Sequence, residues 1–208
     1  MILKLYNQHI FPHVLNQVMQ TPSLMQARGE LLTQIKGSCL EIGFGTGINL
    51  PFYQQLDILY ALEPSSALWQ LAESRLTLAP FLVEQLQAGA ENMPLSDASV
   101  DHVVSTWTMC SIAELNNALK EIHRVLKPNG IFHFVEHVLS DQKSTQRWQH
   151  ALTPIQKKLA DGCHLNRNIE AILQAAGFEF IEKTYFDAKG IPKIGHRMLL
   201  GRVRKIEV

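Results

Sequence analysis

The chain has 208 residues, a length typical of one domain or of a core with a small appendage. Hydrophobic residues make up 46% of it, which is enough to bury a substantial core. The 19 lysines and arginines balance the 19 aspartates and glutamates, and this zero net charge disfavours nucleic acid and anionic membranes as partners.

Three cysteines, Cys39, Cys110 and Cys163, are widely spaced and form no CxxC pair. They indicate neither a disulfide framework nor a zinc knuckle, and reduced thiols are typical of the cytoplasm. The N-terminal stretch MILKLYNQHIFPHVLNQVMQ lacks the continuous apolar core of a signal peptide, and no window holds the roughly 20 apolar residues of a membrane-spanning helix. We therefore expect a cytoplasmic protein without stable membrane insertion.

Predicted strands and helices alternate along most of the chain. Residues 1–36 are predicted to form amphipathic helices, broken near Pro12 and Pro22 and ending at Lys36-Gly37. Five strands are predicted next, at 38–44, 58–63, 81–89, 99–107 and 131–138. Between these strands, one helix is predicted to begin near Asn49 and two others to span 65–78 and 114–126. A broken helical region at 143–176 and an antiparallel pair of strands at 178–186 and 196–204 complete the chain.

This alternation predicts an α/β, Rossmann-like, doubly wound sheet of seven strands, mostly parallel with an antiparallel last strand. Residues 1–37 would form an N-terminal helical cap or lid and residues 38–208 the core, with the segment around 143–168 adding to the cap. Ligands of such sheets bind beyond the carboxyl ends of the strands, near the point where the strand order reverses. Because the glycines and several acidic residues fall at those ends, we expect the functional site there.

The stretch CLEIGFGTGINLPFY places three glycines at alternate positions after the first strand. It is not a dinucleotide fingerprint, because Ile48 occupies the third glycine position, and it is not a P-loop, because no Gly-Lys-Ser/Thr follows. Glu41, just ahead of the turn, would repel a pyrophosphate and favour a cation. Glu63, at the end of the second strand, can accept both ribose hydroxyls, as acids do in NAD enzymes, or can cap the next helix.

The segments LEIGFGTG, LEPS, AENMPLSDASVD and HRVLKPNG resemble, in order and spacing, the motifs of class I S-adenosylmethionine-dependent methyltransferases over roughly residues 38–138. The resemblance implies S-adenosyl-L-methionine as the cofactor. It also implies four groups of cofactor-binding residues: Glu41, Gly43, Gly45 and Gly47 around the methionine part, Glu63 at the ribose, Ala90 and Glu91 at the adenine edge, and Thr106 near the methionine end.

A narrower resemblance is carried by GTGINLPFY, TMCSI, FVEHV, DGCHLNR and the spacing from Trp148 to Pro154. Together they are similar to the methyltransferase-like alkyl thiol S-methyltransferases of microsomes and their soluble bacterial relatives. The microsomal members carry an N-terminal membrane anchor, which we do not expect in this chain. The resemblance implies methyl transfer to a small-molecule acceptor such as a thiol, while a lipid or quinone acceptor stays open.

Two histidines are the candidate catalytic residues. His137 ends the fifth strand, where an imidazole can act as general base on the acceptor or can position a loop. His164 belongs to a polar group that suits an acceptor pocket or a cap: Asp161, Cys163, His164 and Arg167. Their spacing does not fit zinc and no fourth ligand is evident, so we expect no metal.

Two other classes of protein stay open at this point. An NAD-type oxidoreductase is disfavoured by Ile48 and Glu41, and a protein that binds the cofactor without catalysis would show no turnover. Methyl transfer itself requires little acid–base chemistry, because holding donor and acceptor about 3 Å apart and in line contributes much of the acceleration. The lack of a recognisable catalytic triad is therefore consistent with a methyltransferase.

Overall fold

The protein is built on one seven-stranded sheet. The computed structural model describes residues 2–206 of the chain. The strands are β1 Lys36–Ile42, β2 Gln55–Leu62, β3 Leu82–Leu86, β4 Val100–Thr106, β5 Leu126–His137, β6 Phe178–Asp187 and β7 Arg197–Lys205. Their order is β3-β2-β1-β4-β5-β7-β6, and β7 alone runs antiparallel to its neighbours. The prediction of a Rossmann-like sheet with an antiparallel last strand is confirmed.

Helices cover both faces of the sheet and one of its ends. Those among the described residues are α1 Ile2–His9, α2 Phe11–Val18, α3 Pro22–Leu32, α4 Ser66–Leu76, α5 Leu115–Val125, α6 Lys143–Leu159 and α7 Ile169–Ala175. The first residue of the predicted cap and the last two residues of the predicted core lie outside the described part of the chain. None of the helices within residues 2–206 combines the length and the apolar character that crossing a membrane requires.

The core forms on both faces because the central strands are apolar on both sides. In β1 the last four residues, Cys39 to Ile42, are all buried, as expected for a parallel strand between two helical layers. Helix α5 covers one face with apolar residues spaced three and four apart, and all of them are buried: Leu115, Ala118, Leu119, Ile122 and Val125. The hydrophobic spacing of this helix predicted its buried face correctly.

Three predicted boundaries were wrong. The helix expected near Asn49 is only a 3-10 turn, Leu50–Phe52, and Tyr53 then takes an extended conformation. Pro51 in this turn has no backbone N–H to continue a helix. The residues KPNG do not separate α5 from β5 but belong to β5, through a register shift opposite Val100 and His102. Helix α3 ends at Leu32, and Lys36 and Gly37 already pair with β2.

The strand order reverses between β1 and β4, which are neighbours although two strands separate them in sequence. The carboxyl ends of these two strands therefore open onto the crevice where doubly wound sheets bind ligands. At its two edges the sheet ends in β3, which has five residues, and in β6, which has ten and carries a register shift between Phe180 and Glu182.

Candidate active site

A cavity of about 650 Å³ lies beyond the carboxyl ends of β1, β2, β4 and β5. The predicted cofactor-binding residues on its wall are Glu41, Gly43, Gly45, Glu63, Ala90, Glu91 and Thr106. Gly47 does not reach the wall, and of the two candidate catalytic histidines only His137 does. Apolar side chains of α2, among them Phe11 and Leu15, close the cavity on the side opposite the strands.

The glycine loop has the backbone conformation that its sequence predicts. Gly43, Gly45 and Gly47 have φ of +66°, +60° and +74°, a region that residues with a Cβ rarely adopt. At Gly43 a Cβ would also lie 2.2 Å from Oγ1 of Thr108. At Gly45 it would meet nothing closer than 3.7 Å and would occupy open space in the cavity wall. The loop therefore brings bare backbone to the cavity, as the close approach of a ligand requires.

Glu41 lies at the centre of a buried hydrogen-bond network. Its Oε1 accepts from Nδ2 of Asn49 at 3.0 Å and its Oε2 from the hydroxyl of Tyr53 at 2.7 Å. Asn49 also donates to Oγ1 of Thr106 at 3.0 Å and accepts from Nε of Arg28 at 2.7 Å. Burial outweighs these bonds and raises the pKa of Glu41 from 4.5 to about 7. A cationic group in the cavity would favour the ionised form of this carboxyl group, which burial alone disfavours.

Arg28 brings a buried cation from α3 to the same end of the cavity. Its guanidinium donates to the carbonyl oxygen of Met19 at 2.7 Å and lies 4.6 Å from the centre of the Trp107 ring. Burial lowers the pKa of Arg28 to about 10, so it stays charged at neutral pH. Arg28 was not predicted as a site residue, because nothing in its local sequence distinguishes it from a surface arginine. Asn49 and Tyr53 were missed as well, although both lie in the quoted glycine-loop stretch.

Glu63 lies between the glycine loop and the start of α4, and its role at the ribose stays a prediction. Its Oε2 accepts from the backbone N–H of Gly45 at 3.0 Å, and its Oε1 accepts from that of Ser65 at 2.9 Å, just ahead of α4. The carboxyl group thus fixes the glycine loop and the start of the helix together. Burial raises the pKa of Glu63. Each oxygen keeps a further lone pair, so the side chain can still accept a ligand hydroxyl from the cavity.

Two cysteines and a histidine, Cys110, His137 and Cys163, form a cluster. Nε2 of His137 lies 3.2 Å from Sγ of Cys163, and one ligand-type atom from each of the three residues lies within 4.8 Å of the others. Hydrogen bonds with Cys110 and His137 hold the pKa of the Cys163 thiol well below its ordinary value. All three side chains are on the cavity wall.

Glu136 holds the turn that carries Cys110. Its Oε1 accepts from Oγ of Ser105 at 3.0 Å and from the backbone N–H groups of Thr108 and Met109, both at 2.8 Å. The turn begins at Trp107, whose φ of +55° is unusual for a residue with a bulky side chain. A buried carboxyl group that collects several donors can stabilise such a turn. Glu136 therefore has a positioning role that the sequence did not predict.

The catalytic role of His164 stays a prediction that the position of its ring does not favour. Its ring Nδ1 lies 3.1 Å from the carbonyl oxygen of Cys110, and the ring borders a separate surface groove beside His150 and Thr153. Cys163 faces the cavity and its neighbour in sequence faces away from it. Of the other residues in that polar group, Asp161 lines the cavity, whereas Arg167 donates to the carbonyl oxygens of Met109 and Ile112.

Comparison with known proteins agrees with this geometry. Residues 40–134 match a family model described as a methyltransferase domain. Thiol S-methyltransferase TMT1B of Rattus norvegicus is 36% identical over 169 residues, covering 74% of this chain and 68% of that protein. Phosphatidylethanolamine N-methyltransferase of Cereibacter sphaeroides is 25% identical, covering 83% of this chain and 81% of that protein. A methyltransferase structure from Aquifex aeolicus, S-adenosylmethionine-dependent by its description, has a TM-score of 0.65 at 16% identity, covering 94% of this chain and 98% of that one, which supports the fold alone.

The reversed strand order, the glycine cradle and these matches agree on one class, and the chain belongs to the class I S-adenosyl-L-methionine-dependent methyltransferases. It is therefore an enzyme with S-adenosyl-L-methionine as its cofactor, and the NAD-type alternative is excluded. Within the class it is related to the thiol S-methyltransferases TMT1, and it spans about two thirds of the TMT1B relative, 68% of that protein.

Proposed function

We propose that this methyltransferase transfers the methyl group of S-adenosyl-L-methionine to the sulfur of a small, largely apolar thiol. The observation that carries the proposal is the shape and lining of the cavity. It runs from the glycine loop to His137 and Cys163, and apolar side chains of α2 and of residues 191–198 enclose it. The similarity to a thiol S-methyltransferase supports the same acceptor class.

In this proposal the acidic end of the cavity holds the cofactor. Glu41, Gly43, Gly45, Glu63, Ala90, Glu91 and Thr106 keep the roles that the sequence assigns to them, and Gly47 acts only through the shape of the loop. When bound, S-adenosyl-L-methionine supplies an electrophilic methyl group on a sulfonium. Glu41 and Glu63 contribute negative charge in a buried environment, where it acts on a cation with little screening by water. Arg28 complements them as the cation on the wall that can receive a carboxylate.

His137 is the residue that we assign to the acceptor end. Its ring and the Cys163 thiol form a polar pair on a wall that is otherwise mainly apolar, so an acceptor sulfur is directed to that point. Helix α2 excludes water from the reacting atoms by closing the cavity. We keep the cytoplasm as the proposed location, because the three cysteines are free thiols.

Calorimetric titration with S-adenosyl-L-methionine, S-adenosylhomocysteine and NAD tests the cofactor end. Glu63→Ala should weaken binding of both adenosyl ligands by roughly ten- to a hundredfold, as expected for hydrogen bonds to a charged group. Glu73→Ala, which removes an exposed carboxyl group from α4, is the matched control and should leave both affinities unchanged. Equal affinities in the two variants would show that Glu63 does not bind the cofactor.

A transfer assay with a labelled methyl group tests the acceptor. Straight-chain alkyl thiols should be methylated, and the alcohols of the same chain length should not. A lipid amine is the second candidate acceptor, because the chain is similar to phosphatidylethanolamine N-methyltransferase. The N-terminal helices α1 and α2 and the residue between them also expose apolar side chains that could contact a lipid. These are Leu5, Ile10, Val14 and Val18, each 46–54% exposed. Methylation of phosphatidylethanolamine vesicles without any thiol product would overturn the thiol proposal.

A further inference from the structure

The Cys110, His137 and Cys163 cluster has the composition and spacing of a metal site. Its three ligand-type atoms lie within 4.8 Å of one another, and Nε2 of His137 is 3.2 Å from Sγ of Cys163. In a tetrahedral zinc site, Zn–S bonds of about 2.3 Å and Zn–N bonds of about 2.0 Å place neighbouring ligand atoms about 3.5–3.8 Å apart. Small side-chain rotations would therefore be enough to bring the three atoms to the same ion.

The cluster also contains a polar atom without a partner. His137 is only 8% exposed, and its Nδ1 finds no hydrogen-bond partner among residues 2–206. Buried ring nitrogens are almost always paired, and an unpaired one requires an explanation such as an ion or a bound ligand. Nε2, the ring nitrogen beside the Cys163 thiol, is the atom placed to bind an ion, and Nδ1 is left for the second partner that metal-bound histidines usually have.

The surroundings favour a site of the catalytic type over a structural one. Structural zinc sites are closed by four protein ligands, whereas catalytic sites have three and keep the fourth position open. Here the three candidate ligands all border the cavity, so the fourth position faces it. Two thiolates neutralise a divalent ion.

We infer that Cys110, His137 and Cys163 bind one Zn²⁺ ion, and that its open position takes the sulfur of the methyl acceptor as a thiolate. The second part of this inference rests on the proposed thiol acceptor, and the first part does not. On binding, the acceptor loses its S–H proton to solvent. A sulfur lone pair then forms the new carbon–sulfur bond, and the electron pair of the broken bond leaves with S-adenosylhomocysteine. The product thioether is a neutral and weaker ligand, which favours its release.

The three ligands come from TMCSI, FVEHV and DGCHLNR, segments that the glycine loop and cofactor binding do not explain. No metal was expected from the sequence, because Cys163 was compared only with its neighbours in the chain. The structure instead brings it to a residue after β4 and to the last residue of β5. A site whose ligands lie this far apart has no spacing signature.

Titration of the purified, reduced protein with Zn²⁺ and with Co²⁺ tests the metal site. We expect one tightly bound equivalent in the wild type and at least about tenfold weaker binding in Cys110→Ser, Cys163→Ser and His137→Gln. Cys39→Ala, which removes a buried thiol of β1, is the matched control and should bind as the wild type does. Retained binding of S-adenosylhomocysteine by each variant shows that it has folded.

The acceptor position is tested on the Co²⁺-loaded wild type. Addition of 2-mercaptoethanol should change the visible spectrum, and ethylene glycol should not. No stoichiometric metal in the wild type, or equal affinity in the ligand variants, would overturn the site. Metal binding without a response to the thiol would overturn only the proposal that the acceptor thiolate is the fourth ligand. The transfer assay with alkyl thiols is independent of both results, so failure of the proposed function is recognised separately.

Discussion

The carboxyl group of Glu41 is buried, and the hydrogen bonds that it accepts come from neutral donors, Asn49 and Tyr53. Arg28 binds Asn49 rather than the carboxyl oxygens. Removal from water therefore outweighs the hydrogen bonds, and the pKa rises to about 7. A cation in the cavity reverses this balance, because it stabilises the charged form.

We predict that binding of S-adenosyl-L-methionine releases a proton from Glu41 below neutral pH. The free protein holds that proton below the raised pKa, so cofactor affinity should rise with pH up to about 7 and then level off. Calorimetry at about pH 6, in two buffers of different ionisation enthalpy, measures the proton count. The wild type should release a large fraction of one proton and Glu41→Gln clearly less, since Glu63 remains in the variant.

Glu91→Gln removes another carboxyl group from the cavity wall and should keep the proton release of the wild type. An affinity that stays constant between about pH 5 and 8 would contradict the prediction.

The raised pKa of Glu41 also has a consequence for stability. Because the folded protein binds more protons than the unfolded chain, the contribution of Glu41 to the free energy of unfolding falls as pH rises from 4.5 through about 7.

Residues at the ends of strands could be predicted from sequence, and those that reach the site by long-range packing could not. Glu41 and Glu63 follow from their positions beside apolar runs. Arg28 reaches the cavity from a helix near the N-terminus, and its neighbours in sequence give no indication of it. Cys163 and His164 are adjacent in the loop after α6, and only Cys163 borders the cavity. Sequence alone does not give the direction in which each loop residue points.

Among the elements, β4 is joined to the starts of β1 and β5 by Asp101. Its Oδ2 accepts from Oγ and from the backbone N–H of Ser38, at 2.6 and 3.0 Å, and its Oδ1 accepts from Nζ of Lys127 at 2.7 Å. Burial opposes ionisation, but the bonds from Lys127 and Ser38 outweigh it and lower the pKa of Asp101 to about 2. The stabilisation is thus present above the unfolded pKa and is lost as pH falls toward about 2.

Asp101→Asn should lower the free energy of unfolding at neutral pH by about 1 kcal/mol, a value reduced for the partial exposure of the ion pair. Urea unfolding at neutral pH and near pH 3 measures the change, and the difference between variant and wild type should shrink in acid. Asp57→Asn, at an exposed position of β2, is the control and should differ little from the wild type at either pH. Two variants with the same acid dependence would refute the role of Asp101.

Helix α2 is attached to the glycine loop by a hydrogen bond from Thr46 to Asn16, 2.8 Å long. Thr46→Val should break it and speed amide exchange in α2 about fivefold, which corresponds to about 1 kcal/mol. Hydrogen-exchange mass spectrometry of residues 11–18 is the measurement. Thr77→Val, which loses only a hydrogen bond near the exposed end of α4, should leave that segment unchanged. Similar exchange in the two variants would exclude the attachment.

The strands and α5 were predicted well from the sequence, because each buries a periodic apolar face. A helix after the glycine loop was predicted wrongly, since Tyr53 leaves the helical conformation where its hydroxyl contacts buried Glu41. That contact outweighs the local preference of the segment. The division into a cap of residues 1–37 and a core of residues 38–208 stays a prediction, although α2 borders the cavity.

For the whole molecule, the cavity joins parts of the chain that are far apart in sequence. Its wall includes α1 and α2 near the N-terminus, the strand ends in the middle and residues 191–198 near the C-terminus. S-adenosylhomocysteine at a hundredfold excess over its Kd should therefore raise the free energy of global unfolding by about 2.7 kcal/mol. Urea unfolding with and without the ligand measures this shift.

The slope of the urea transition should be the same in both titrations, because the ligand changes stability and not the surface exposed on unfolding. If the ligand raised only the local protection from amide exchange and did not shift the urea midpoint, the cavity would have to open before the sheet unfolds.

The exclusion of nucleic acid as a partner rests on the balanced charge of the chain and stays a prediction.

The two edges of the sheet differ in how open they are to pairing with another molecule. An unpaired strand edge can recruit a strand from another molecule, and the hazard grows with its length. Edge strand β3 offers only five residues. Edge strand β6 has ten, but Glu179, Glu182 and Lys183 place charges along it and the register shift beside Phe180 interrupts its regular ladder. Replacing those charges would turn the longer edge into a nucleus for aggregation while leaving the cavity intact.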